Sequence, residues 1–169
     1  MKISIITATW NSAATIENAI LSVASQGYRH LEHIIVDGNS SDATLSIVFR
    51  YASLIDKLVS EPDHGIYDAM NKGIALATGD VIGILNSDDF YANPHVLDKV
   101  ARVFEDETID TCYGDLIYVD PMNVKRVTRY WRAGAHHPRS FYQGWMPPHP
   151  TFFVRRSVYE KYGTFNVAL

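Results

Sequence analysis

Residues 81–89 read Val81-Ile82-Gly83-Ile84-Leu85-Asn86-Ser87-Asp88-Asp89, an apolar run that leads straight into two adjacent carboxylates. A continuous apolar run of this length, bounded by polar turn residues, is the pattern of a strand buried on both faces. Neighbouring carboxylates at the end of such a strand repel each other and gain nothing from packing. A hard divalent cation relieves that repulsion, and magnesium typically takes one or two carboxylates together with substrate phosphates. A turn with an N-cap is the plainer reading of Asp88-Asp89 alone, because Asx residues favour turns. Asp37 and the Asp63-x-Gly65 turn weigh against that plainer reading, since they bring further polar groups to neighbouring strand ends.

Working outward from this segment, short apolar runs alternate with segments of helical period. Ile3–Ala8 is a buried strand, followed by a helix expected over Ala14–Gln26 with Ile16, Ile20, Val23 and Ala24 on one face. His33–Val36 is a second strand ending in Asp37-Gly38, and a helix is expected over Ala43–Ala52 with Leu45, Val48 and Phe49 inward. Lys57–Val59 is a short third strand. Ile66, Met70 and Ile74 recur every four residues, giving a helix that runs from the Gly65 turn to Ala77. Beyond the acidic pair, Asn93-Pro94 reads as an N-cap with an N1 proline, opening a helix to Phe104.

This alternation indicates an α/β fold, a mostly parallel central sheet with helices on both faces. After residue 110 the pattern changes. Tyr113–Val119, Val124–Trp131 and Thr151–Val154 read as strands with no helices between them, expected as mixed or antiparallel additions at one edge. No linker, repeat or low-complexity stretch interrupts the chain, so a single domain over residues 1–169 is expected.

The composition is that of a soluble globular protein: 47% hydrophobic and 20% charged residues in a 169-residue chain, long enough for one core. A net charge of −4 gives no general attraction to nucleic acid. Arg126, Arg129, Arg132 and Arg139 form a loose basic region that reads as a solvated face. The single cysteine, Cys112, has no partner for an internal disulfide, which reads as a structural thiol in a reducing compartment. No apolar stretch approaches the ~20 residues that span a bilayer. These features point to the cytoplasm, with peripheral contact at the inner membrane face left open.

In open α/β sheets, ligands bind beyond the carboxyl ends of the strands. Here those ends carry Thr7-Ala8-Thr9-Trp10-Asn11, Asp37-Gly38-Asn39-Ser40-Ser41-Asp42 and Asn86-Ser87-Asp88-Asp89, so a shared cleft is expected. Several ordered motifs together resemble the family 2 glycosyltransferases of GT-A (Rossmann-like) fold. They are Ser4-Ile5-Ile6-Thr7 with Trp10-Asn11, then Val36-Asp37-Gly38-x-Ser40-x-Asp42-x-Thr44, then Ser60-Glu61-Pro62-Asp63-x-Gly65 continuing to Gly73. Asn86–Asp89, Tyr113-Gly114-Asp115, His149-Pro150-x-Phe152-Phe153 and Tyr162-Gly163-x-Phe165 complete the set. The resemblance covers essentially the whole chain. It divides the chain into a nucleotide-sugar-binding part, residues 1–110, and the start of an acceptor-side part, residues 111–169.

The resemblance implies a metal-dependent, inverting transfer of sugar from a nucleotide-diphospho-sugar, UDP-linked by resemblance, to a glycan or lipid-linked acceptor, as in polysaccharide biosynthesis. Thr7 and Asp37 would meet the nucleotide base, with Asp37 accepting from a ring N–H. Asp88 would face the ribose or base, and Asp89 would ligate a Mg²⁺ or Mn²⁺ ion that bridges the diphosphate. Asn11 lies in the same strand-end loop, and Asn71 could approach the nucleotide. Asp68 either shapes the nucleotide pocket or caps its helix. Asp115 either faces the acceptor or is a turn carboxylate. His149 stands in the acceptor-side loop as a metal ligand, an acceptor contact or a structural histidine.

One departure limits the resemblance. Inverting members use a carboxylate base, carried in an acidic pair beyond the Tyr-Gly-x-Phe segment, and this chain stops at Asn166-Val167-Ala168-Leu169. Truncation is the expectation, with the base beyond Leu169. The alternative is a nucleotide-sugar-binding fragment that lacks the general base, with apolar surface left open to self-association. A nucleotidyltransferase is disfavoured because Thr7–Ala14 holds no glycine-rich basic loop. A dinucleotide oxidoreductase is disfavoured because no G-x-G-x-x-G follows the first strand.

Overall fold

A computed structural model of the chain describes residues 1–167. Four parallel strands form its centre: β1 (Ile3–Thr9), β2 (Leu31–Asp37), β3 (Lys57–Ser60) and β4 (Val81–Ile84). Helices α1 (Ile16–Ala24), α2 (Thr44–Arg50), α3 (Ile66–Leu76) and α4 (Val96–Val103) alternate with them or follow them. Two further strands, β5 (Thr111–Cys112) and β8 (Phe153–Arg155), extend the sheet to the order β3-β2-β1-β4-β8-β5. A separate antiparallel hairpin is made by β6 (Leu116–Asp120) and β7 (Asn123–Trp131), and α5 (Arg156–Tyr162) follows β8.

The alternation of side chains along β1 sorts the core into two layers. Ile6 and Ala8 pack with Ile34 and Val36 against Ala69, Met70 and Ile74 of α3. Ile3 and Ile5 face the other way, toward Val23 of α1 and Leu97 and Val100 of α4. A third cluster, Ile16, Ile20, Ile35 and Val48, seats α1 and α2 together. Helices therefore cover both faces of the sheet, and β1, β2 and β4 are buried along nearly their whole length. α3 sits so low on β1 that a Cβ at Gly73 would come within 2.3 Å of the Ile6 side chain.

The late strands differ from expectation in one respect. The strand expected over Tyr113–Val119 begins only at Leu116 and belongs to the hairpin, while Thr111–Cys112, before it, is a strand of the main sheet. Between them the Thr151 hydroxyl donates to the Gly114 carbonyl at 2.8 Å, fixing the bend. β8 does add antiparallel to β4, and β5 antiparallel to β8. α5 was not expected. Phe49, expected inward, is 62% exposed, because α2 is short and only Thr44 and Val48 are buried.

α4 starts at Val96 and not at Pro94, because its cap comes from elsewhere in the chain. The Gln26 side chain accepts from the amides of Val96 and Leu97 at 3.1 and 3.2 Å, while Asn93 accepts from the His95 amide in the preceding turn. Among the described residues no helix is long and apolar enough to cross a membrane.

Candidate active site

Strand order runs 3-2-1 in one direction and 4 in the other, so the sheet reverses between β1 and β4. The ends of these two strands diverge there, which is where open α/β sheets bind ligands. A cleft of about 440 Å³ occupies this point, lined by Thr9, Trp10, Asp63, Gly65, Asn86 and Asp88 among others. Trp10 is 67% exposed at its edge, a large flat ring left in water beside a polar hollow. The Thr9 hydroxyl and the Asn86 side-chain carbonyl are buried without hydrogen-bond partners among the described residues. Unpaired buried polar atoms are costly in a finished core, and here they line a cleft.

Two carboxylates stand side by side at the end of β4. Asp88 is exposed and lines the cleft. Asp89 is half-buried, and that burial, together with the charge on Asp88, pushes it up to about 6. Its side-chain partner is the Asn86 amide at 3.3 Å. Neither aspartate forms an ion pair among the described residues. Two adjacent carboxylates, one of them held partly out of water and neither paired, are a donor set that a divalent cation satisfies.

The other expected site residues fall into different positions. Asp37 stands at the end of β2 and is completely buried. It accepts from the amide and hydroxyl of Ser40 and from the Ser60 hydroxyl at 2.7 Å, so it ties the β2 and β3 loops together behind the cleft. Asn11, at a positive φ of 48°, accepts through its side chain from the Ser41 amide at 2.9 Å and so shapes the loop beside Trp10. Thr7 is not brought into the cleft: it is fully buried inside the sheet, with its hydroxyl 3.1 Å from His33 Nε2. Asn71 is turned away as well, clamping both the amide and the carbonyl of Phe165 at 2.9 and 2.8 Å. Asp68 accepts from the His64 amide at 3.0 Å, with Lys72 at 3.6 Å, which is the helix-start role.

On the acceptor side, Asp115 accepts from the Ala133 amide at 2.9 Å and the Tyr130 hydroxyl at 3.2 Å, joining the segment before β6 to the end of β7. His149 lies edge-on to Phe165, and burial lowers its pKa below the ordinary value. The carboxylate base expected past Leu169 lies outside the described residues.

Thr9, Trp10, Asp63 and Asn86 line the cleft, and the sequence alone does not mark them as ligand contacts. It carries only a positional signal, for Trp10 and Asp63. An aromatic directly after a buried strand, and an Asp-x-Gly turn after another, both sit at carboxyl ends. A Cβ at Gly38 would lie 2.5 Å from Asp63 Oδ2 and 3.5 Å from Trp10, so the glycine of the Asp37-Gly38 pair is what lets these two side chains approach.

Residues 4–163 match the family described as Glycosyl transferase family 2. The chain belongs to that family. Among curated members, a PGL/p-HBAD biosynthesis glycosyltransferase of Mycobacterium tuberculosis is 34% identical over 168 residues, which is 97% of this chain and 63% of the relative. The chain therefore spans less than two thirds of that relative's length. Among solved structures, TarS of Staphylococcus aureus in complex with UDP superposes with a TM-score of 0.75 at 22% identity, covering all of this chain and 51% of that one. A mannosyltransferase of Pyrobaculum calidifontis in complex with GDP-Man and Mn²⁺ gives a TM-score of 0.76 at 22% identity, covering 99% and 48%. These likenesses establish the GT-A-like fold, and the family membership places the cleft at the carboxyl ends of β1 and β4 in a glycosyltransferase framework.

Proposed function

We propose that this chain is the donor-binding part of a metal-dependent, inverting glycosyltransferase that takes its sugar from a nucleoside-diphospho-sugar. One observation carries the reading: a cleft at the β1–β4 switch point lined by Asp88, with Asp89 next to it on the wall of the adjoining cavity and neither carboxylate in an ion pair among the described residues. The nucleoside diphosphates named with the TarS and mannosyltransferase structures support a donor of this class, with UDP preferred and GDP the alternative. Residues 1–110 supply the donor half, and residues 111–169 begin the acceptor side.

Each side chain has work suited to its position. The Trp10 ring offers a face on which a nucleobase can stack. Thr9 and Asn86 supply the buried hydrogen-bonding atoms that a base or ribose would satisfy, and Asp63 and Asp88 accept from ring N–H or ribose hydroxyls. Asp37 and Asn11 hold the surrounding loops in shape from behind. Asp89, with Asp88 beside it, would hold Mg²⁺ or Mn²⁺. Such an ion, when bound, neutralises the charge of the departing nucleoside diphosphate as a Lewis acid. A glycan or a lipid-linked glycan is the acceptor, and the lipid-linked one would bring transfer to a membrane surface.

Calorimetric titration of UDP into the chain, with Mn²⁺ and with EDTA, tests the donor reading. Metal-dependent binding that weakens at least tenfold in Asp89→Ala is the expected result, equivalent to about 1.4 kcal/mol or more. Binding of equal strength in EDTA, or in the variant, would contradict it.

A further inference from the structure

A second and larger cavity, of about 730 Å³, opens on the other side of Asp88, between α4 and the β6–β7 hairpin. Its volume is in the range of small-molecule sites. Phe90, Val100, Val103, Ile117, Val119 and Tyr130 form much of its wall. Two of the polar groups in that wall are committed already, while Asp88, Asp89 and Lys99 stand in it without an ion pair among the described residues. Asp115 is occupied by the Ala133 amide and the Tyr130 hydroxyl, and the Thr151 hydroxyl by the carbonyls of Gly114 and Pro148. Tyr91 lines the cavity with a buried hydroxyl that has no hydrogen-bond partner among the described residues. A carbohydrate lodged against the aliphatic part of this wall would lose its water without replacement hydrogen bonds, which is costly. An alkyl chain would gain from the same wall.

Asp88 lines both spaces, and Asp89 lines the larger one, so the apolar cavity and the polar cleft meet at the acidic pair. We propose that the cavity between α4 and the β6–β7 hairpin takes the apolar tail of the acceptor, an alkyl or acyl chain joined to the group whose hydroxyl receives the sugar. The inference rests on the donor reading above, because that reading is what makes the Asp88-Asp89 end the reacting end. A tail in the cavity sets the attached hydroxyl at the mouth, facing the donor cleft across Asp88. The open wall suits such a guest: Val103, Tyr118 and Tyr130 are 39%, 40% and 58% exposed along its rim.

The test uses octyl β-D-glucopyranoside below its micellar concentration, with methyl β-D-glucopyranoside as the tail-free control, titrated into the chain by NMR. UDP with Mn²⁺ is titrated into the same samples. Val103→Trp fills the cavity from its exposed rim and Val103→Lys charges it, and neither touches the fully buried core. The octyl glucoside is expected to bind roughly 100-fold more tightly than the methyl glucoside. Both variants should lose at least tenfold of that affinity while UDP affinity stays within twofold. Equal binding of the two glucosides, or octyl binding that survives both substitutions, overturns the assignment. If UDP still binds in those samples, only the cavity proposal fails. If UDP does not bind while the octyl glucoside does so in a Val103-dependent way, the cavity stands and the donor reading fails.

Discussion

His33 of β2 is buried beside Thr7, and its second ring nitrogen has no hydrogen-bond partner among the described residues. Burial disfavours the imidazolium and lowers its pKa from 6.5 to about 4. The unfolded chain therefore binds a proton that the folded one does not between pH 4 and 6.5, and stability rises with pH across that window. The contribution lost on going below it is on the order of 3 kcal/mol. An NMR titration of the histidine ring should find it neutral down to about pH 4; a midpoint near 6.5 would contradict the burial argument. Thr7 and Asp37 teach the same lesson at this scale. Their types and their places at strand ends were legible, but the alternation that turns Thr7 into the sheet, and the two serines that absorb Asp37, depend on partners far along the chain.

At the scale of elements, close packing between α3 and β1 fixes the height of the cleft floor. Gly73→Ala would gain up to about 1 kcal/mol of helix propensity, but its Cβ would press on Ile6. Overpacking of this kind costs about 1–3 kcal/mol, so a net destabilisation is expected in urea unfolding. Asn71→Ala should release the Phe165 segment, lowering the thermal midpoint while leaving nucleotide affinity within about twofold. A large loss of nucleotide affinity would instead restore Asn71 to the cleft. The periodicity of α3 was plain in Ile66, Met70 and Ile74, and the buried strands were plain in their apolar runs. The start of α4 was not, because Gln26, a residue 70 positions away from Val96, caps it. β7 was legible as a strand over Val124–Trp131. Its pairing with β6 in a sheet apart from the main one and the split at Gly114 were hidden, since they depend on contacts such as Thr151 to Gly114 that lie far along the chain.

Across the whole molecule the two ends of the sheet hold acidic groups in opposite ways. At the amino end, Glu32 is buried among the Ser4 hydroxyl, Lys2, Lys57 and both donors of Thr78, joining β1, β2, β3 and the loop before β4. Burial opposes its ionisation, but those hydrogen bonds outweigh it and hold the carboxyl far below the ordinary 4.5. Its stabilisation is complete above pH 4.5 and is lost as pH falls below that value. Glu32→Gln should cost about 2–3 kcal/mol at neutral pH and flatten the acid limb of the stability curve. At the carboxyl end, Asp89 is pushed the other way, with the Asn86 amide as its one side-chain partner among the described residues. One end of the sheet is built to hold the fold together; the other keeps an unpaired pair of carboxylates beside a cleft, which is the arrangement a ligand completes.

The most direct test of that arrangement is electron paramagnetic resonance of Mn²⁺ in the presence of the chain and UDP. Free Mn²⁺ gives a six-line signal that diminishes when the ion is bound. With UDP and Mn²⁺ alone as the reference, the signal should fall below that level when the wild-type chain is added and stay at it when the Asp89→Ala variant is added. A signal that falls equally in both, or in neither, would contradict the assignment of the metal-bridged donor site to the Asp88-Asp89 end of the sheet.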